Sequence, residues 1–299
     1  MQQTTHPLQS ILEPYQHRTE QAIDSYLLSH QGKDKLHEAC SYVLTGSGKR
    51  FRPALVMMIA DGIAKGGNVT QAALAVEFFH TASLIADDLP CMDDDDERRC
   101  KPALHKAYGE ATALLASYAL IAAGYECLAT GAQQLKQSSL PFAKNADAIC
   151  TAALANATYN TGLNGATGGQ YMDLYPSDLS AASVREIIHK KTTSLFEISF
   201  VLGWLYGGGD INKLDDVKKA ASHFGMAFQI ADDLGDQEQD IANERLVNTA
   251  NIFGLESALE MFHEEMRGFT QTVEALNIKS GDLDRLAALL VHRVNKYRP

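Results

Sequence analysis

Apolar residues recur every three or four positions along most of the chain, the period of helices that bury one face. Leu8, Ile11, Leu12 and Tyr15 open the first helix. A second spans 33–44 and ends near Gly46. Pro53 stands in the first turn of a third, where a missing backbone N–H costs nothing. That helix runs to about Lys65 and stops at Gly66-Gly67. The next covers 70–86, and Pro90 should bend or end it. The stretch 105–135 is apolar almost all round, which predicts a buried central helix. Further helices are predicted over 142–163, 181–206, 214–234, 256–276 and 282–297, with Gly207-Gly208-Gly209 as a break. No period-two alternation is sustained, so no sheet is expected. The fold class is all-α: one domain, 1–299, with roughly ten helices around a central cavity.

Composition changes this picture little. About 45% of the 299 residues are hydrophobic, enough for a full core. The net charge is −11, and ten carboxylates fall in two clusters: Asp87, Asp88, Asp93 to Asp96 and Glu97, then Asp232, Asp233 and Asp236. There is no basic stripe, so nucleic acid is not an expected partner. Cys40, Cys91, Cys100, Cys127 and Cys150 show no metal-ligand spacing and read as reduced thiols of a cytoplasmic protein. The first residues, MQQTTHPLQS, carry no signal pattern. The most membrane-like run, 111–125, falls short of the ~20 apolar residues that a span requires.

The two clusters carry the candidate chemistry. Carboxylates this close repel one another unless a divalent cation sits between them. In the second cluster, Asp233 is turned about 100° from Asp232, Asp236 about 40° and Gln229 about 60°. All four therefore share a helical face, and Phe228, Ile230, Ala231 and Leu234 around them argue against a solvated acidic surface. In the first, His80 lies two turns before Asp87, on nearly the same side. Asp93 joins only if Leu89-Pro90-Cys91-Met92 folds it back. Arg98 and Arg99 follow, and guanidinium groups match phosphate oxygens as a fork. No EF-hand spacing is present. The loop Gly46-Ser47-Gly48-Lys49-Arg50-Phe51-Arg52-Pro53 puts three cations at a helix start, which favours an anion. It is not a Walker A loop, since Arg50 follows Lys49. Lys191-Thr192 is a weaker signal of the same kind. Together these features predict one cavity in which magnesium bridges carboxylates to a diphosphate.

Five segments occur in register: GKRFRP, EFFHTASLIADDLPCMDDDDERRCKP, GGQYMDL, KTTSLFE and FQIADDLGD. In these the chain resembles the trans-isoprenyl diphosphate synthases, the farnesyl and geranylgeranyl diphosphate synthases. The resemblance implies the isoprenoid synthase fold, a homodimer and three Mg2+ ions. It implies Asp87, Asp88, Asp93, Asp232, Asp233 and Asp236 as metal ligands, with Lys191 joining the aspartates in catalysis. By the same resemblance Lys49, Arg52, His80 and Arg99 would hold isopentenyl diphosphate. Arg98, Lys191, Thr192 and Gln229 would hold the allylic diphosphate. The small Ala82 and Ser83, before Asp87, imply a deep pocket and a C20 product, geranylgeranyl diphosphate. Tyr118, from a neighbouring helix, could shorten it to C15, farnesyl diphosphate.

The chain departs from that pattern after Asp236. Two lysines usual in the family are missing, and only Arg245 is cationic nearby. Ala86 stands where many members have His, Tyr118 where many have Asp, and Cys100 replaces a common Gly. Two other readings stay open. A terpene cyclase would share the acidic motif without needing GKRFRP, and a non-catalytic partner subunit would tolerate the lost lysines.

Overall fold

The structure, a computed structural model, describes residues 7–30, 32–242 and 247–297, with the side chains of 238–242 left aside. The first helices are α1 (Pro7–Ser29), α2 (Lys35–Leu44), α3 (Phe51–Ile63) and α4 (Thr70–Asp87). After a two-stranded ribbon come α5 (Leu104–Tyr108), α6 (Glu110–Lys136), α7 (Ala146–Thr161), α8 (Ala166–Leu174) and α9 (Ala181–Ile188). A π-helical turn, His189–Thr193, leads into α10 (Ser194–Tyr206). Then follow α11 (Leu214–Ala242), α12 (Thr249–Phe253), α13 (Leu255–Leu276) and α14 (Gly281–Val294).

The helical class is as expected, but the centre is not. The helix buried along its whole length is α10, every residue of which is shielded from solvent. It packs on α3, α4, α7 and α11, while α6 packs along α4 and α11 along α13. The stretch 105–135 is not the central helix. Gly109, at φ +85°, breaks it into α5 and α6. Only one side of α6 is buried, through Ala113, Ala116, Leu120, Leu128 and their neighbours. Its other side exposes Leu114, Leu115 (53%) and Tyr118 (58%). Apolar composition all round reflects two different faces here, not complete burial. By length and composition α6 could cross a membrane, and it extends beyond the run 111–125.

A small sheet also exists against expectation. Glu97–Arg98 pairs antiparallel with Lys101–Pro102, closed by Arg99 and Cys100, both at positive φ. Strands of two residues are too short to show alternation. The segment GGQYMDL, given no helix above, forms α8, because its glycines let it lie directly on a neighbouring backbone. A Cβ at Gly169 would stand 2.2 Å from Lys191 N.

Candidate active site

The first cluster closes α4. Asp87 is its last residue, and the chain reverses at once: Asp93 N–H donates to the Asp87 carbonyl at 2.9 Å, and Asp94 N–H to that of Leu89 at 3.2 Å. The turn through Pro90 thus returns Asp93 to Asp87, as the spacing required. Burial pushes the Asp87 carboxyl up to about 7, opposed by nearby Lys191 and reinforced by Asp93 and Asp88. Asp88 faces the other way. It is 2% exposed and accepts from Arg98 Nε at 2.8 Å and from Arg98 Nη2. Arg98 also pairs with Asp95. Arg98 therefore holds the ribbon onto α4, and its guanidinium is already engaged.

The second cluster sits late in α11. Asp232 and Asp236 are outward, but Asp233 is buried. Its carboxylate accepts from Gln229 Nε2 (2.7 Å), Thr249 N–H (2.8 Å) and Thr249 Oγ1 (2.7 Å). The 100° step from Asp232, read above as one shared face, is enough to put Asp233 under α12 instead. Each motif thus has a buried middle carboxylate that ties structure together, while the flanking ones are more open, Asp232 meeting the half-exposed Arg293. Burial raises the Asp232 carboxyl, while Arg293 and Lys49 lower it.

Neighbouring residues of the π-helical turn link the two clusters. Lys191 acts on Asp87 from the π-helical turn. From the same turn Thr192 Oγ1 donates to Gln229 Oε1 at 2.8 Å, and Gln229 goes on to Asp233. Lys49 and Arg52 act on Asp232 from the start of α3. A single inserted residue in α9–α10 therefore carries Lys191 to one cluster and Thr192 to the other, a use to which π-turns are often put. Lys191 Nζ is also paired with Asp173 of α8.

The remaining basic residues form a second group. Arg52 Nη1 lies 3.1 Å from His80 Nε2, and its guanidinium covers the Phe196 ring at 5.0 Å. Burial lowers Arg52 to about 10, so it stays charged at neutral pH. His80 is held well below its usual value by burial and then by Arg52 and Arg99, which leaves it neutral. Arg99 reaches Glu77 at 3.4 Å, and its carbonyl accepts from Ser47 Oγ. Gly48 lies close against this group, since a Cβ there would stand 3.1 Å from the Arg99 guanidinium. Below them Glu77, 1% exposed, binds Arg50, and Arg50 Nη2 holds the carbonyls of Leu44 (2.6 Å) and Gly46 (3.0 Å).

The residue model of the Polyprenyl synthetase family matches 33–245 of this chain. The chain belongs to that family. A chloroplastic geranylgeranyl pyrophosphate synthase of Capsicum annuum is 35% identical over 279 residues, covering 87% of this chain and 72% of its own length. A heterodimeric geranylgeranyl pyrophosphate synthase large subunit 2 of Arabidopsis thaliana is 37% identical over 222 residues, and only 55% of its length is matched. A farnesyl diphosphate synthase of Geobacillus stearothermophilus is 34% identical over 234 residues, 77% of this chain and 76% of that protein. Among solved structures, a geranyltransferase from Legionella pneumophila superposes with a TM-score of 0.82 at 28% identity, covering 96% of this chain and 98% of that one.

In this polyprenyl synthetase no three carboxylate, imidazole or thiolate groups among the described residues form a ready cation cage. A divalent cation can also be held by one or two carboxylates, with water and ligand oxygens completing its shell. Asp87 with Asp93, and Asp232 with Asp236, are the pairs able to do so. Sequence reasoning gave no role to Glu77, Asp173 or Arg293, and it read Arg50 as an anion-binding cation of the loop, whereas Arg50 is buried and paired with Glu77. For Glu77 the signal was a lone acid in the apolar run 72–79. For Arg293 there was none, because its partner lies in another helix. Arg245 and the gap around it lie mostly outside the described residues. The chain-length candidates are also placed. Ala82 is 1% exposed, and its carbonyl accepts from Ser117 Oγ of α6 at 3.0 Å. Ser83 is half-buried and bonds the His80 carbonyl. Ser117 is the α6 residue hydrogen-bonded to Ala82, and Tyr118 beside it is largely exposed.

Proposed function

We propose that this polyprenyl synthetase is a magnesium-dependent short-chain prenyltransferase that joins isopentenyl diphosphate to an allylic diphosphate. The observation that carries this reading is the π-helical turn that sets Lys191 beside Asp87 and Thr192 on Gln229, next to Asp233, while Lys49 and Arg52 act on Asp232. Bound magnesium, three ions by analogy with the family, would supply Lewis-acid stabilisation of the departing diphosphate. Lys191 and Thr192 hold the allylic diphosphate, with Gln229 orienting Thr192. Arg52, neutral His80, Arg99 and Lys49 hold the isopentenyl diphosphate. The allylic C–O bond breaks, and its electron pair leaves with the diphosphate. The isopentenyl double bond then attacks the allylic cation, and the proton lost goes to the released diphosphate. The second cationic group argues against a cyclase, which binds one diphosphate only. A homodimer would cover the exposed apolar face of α6, and the five free thiols suit a reducing cytoplasm.

The test is incubation of the purified chain with isopentenyl diphosphate and dimethylallyl, geranyl or farnesyl diphosphate, with and without magnesium. No elongated product from any primer would end this reading. The main product proposed is C20. Ser83 stands about 6 Å and Phe79 about 12 Å along α4 from Asp87. Small side chains at 82 and 83 leave Phe79, packed on Tyr125 at 5.0 Å, as the next large group below. Ser83→Phe is expected to move the product from C20 toward C15, read by chain-length analysis of labelled products. An unchanged length would remove Ser83 from that role.

Magnesium uptake should depend on pH. Asp87 binds a cation only when ionised, and its carboxyl titrates near 7 without metal. Affinity should therefore rise between about pH 6 and 8, with proton release on the acid side of 7. Calorimetry in buffers of different ionisation enthalpy reads this directly. No proton release at pH 6.5 would contradict it.

A further inference from the structure

Arg293, in the last turn of α14, donates from Nη1 to Asp232 Oδ1 at 3.2 Å. The contact joins residues 61 positions apart. It passes beside Gly235, one turn after Asp232. A Cβ there would stand 2.5 Å from Arg293 Nη2. The guanidinium thus crosses α11 through the space that a missing side chain leaves. The pair is open to a ligand, with side chains 45% and 41% exposed. Asp232 also feels the repulsion of Asp236 and the attraction of Lys49. From Asp236 to Glu244 the chain carries no lysine or arginine.

We infer that Arg293 supplies a diphosphate-binding cation to the second aspartate motif, where 236–244 offers no lysine or arginine. It rests on Asp232 while the site is empty. When a metal-bound diphosphate takes Asp232, the guanidinium transfers to a diphosphate oxygen, where its fork geometry suits phosphate. This builds on the magnesium–diphosphate reading above.

The experiment measures binding of inorganic pyrophosphate with magnesium by calorimetry, together with the metal-free melting temperature. It compares the unmodified chain with Arg293→Met, Arg293→Lys, Gly235→Ala and the Arg293→Met/Gly235→Ala double variant. Arg293→Met should weaken binding about tenfold, the size of one charge-assisted contact, and Arg293→Lys should recover part of it. Gly235→Ala should also weaken binding while holding or raising the melting temperature, since alanine favours a helix interior. In the double variant the losses should not add, because both act through one guanidinium. Unchanged or tighter binding by Arg293→Met would overturn the inference, the tighter result making Arg293 a competitor for Asp232. No loss in Gly235→Ala, or additive losses, would overturn the route across α11. Failure of the unmodified chain to bind magnesium pyrophosphate would instead sink the metal–diphosphate reading itself.

Discussion

Replacing Asp87 or Asp232 by Asn is expected to lower kcat/KM by at least about 10³-fold, roughly 4 kcal/mol of transition-state stabilisation. The metal-free melting temperature should hold or rise, because a carboxylate crowded by burial and like charge is removed. Asp233→Ala should show the opposite balance. Its carboxylate is 4% exposed and, among the described residues, accepts from Gln229 and twice from Thr249 at the start of α12. Without it the buried Thr249 N–H and hydroxyl lose their acceptor, which costs about 1–3 kcal/mol for each stranded group. Activity would then fall through loosening of the α11–α12 junction, and a melting scan would show that loss before any substrate is added. The contrast separates ligand from brace within one five-residue motif. Equal activity losses at 232 and 233 with unchanged melting temperatures would show that Asp233 is a ligand after all.

The second large effect lies beneath the cationic loop. Arg50 and Glu77 are 2% and 1% exposed and form an ion pair. Arg50 also adopts φ +47°, a left-handed conformation unusual for a side-chain-bearing residue. Its two bonds to the carbonyls of Leu44 and Gly46 close the loop that presents Lys49 and Arg52. Arg50→Met should cost about 3–5 kcal/mol, since it strands the Glu77 charge with longer contacts of 3.4 Å from Arg99 and Thr81. The expected fall in melting temperature is about 6–10 °C. Adding Glu77→Leu should recover part of the loss by removing the stranded charge. A double variant worse than Arg50→Met would mean that Glu77 serves Arg99 more than Arg50.

Which helices form was legible because apolar spacing reports burial locally. The run 70–86 became α4, and the fold-back of Asp93, a condition in the sequence, is met by backbone bonds to Asp87 and Leu89. What misled was composition without direction. Residues 105–135 and α10 are both rich in apolar side chains, yet only α10 is enclosed on every side, because α3, α4, α7 and α11 surround it. In α6 the same kind of residues divide between a face on α4 and one that shows Leu115 and Tyr118 to solvent.

The sequence by itself determined the helical class, the two acidic motifs and the cations that accompany them, since periodicity, charge and short-range spacing are properties of neighbouring residues. Tertiary structure alone decided which carboxylates stay outward. A helical wheel puts Asp232 and Asp233 about 100° apart, and only the arrival of α12 on one side turns that angle into two different fates. It also decided that Arg98 is spent on Asp88 and that Arg293 reaches Asp232. Charges separated by tens of residues find each other through packing of helices, which no local pattern encodes.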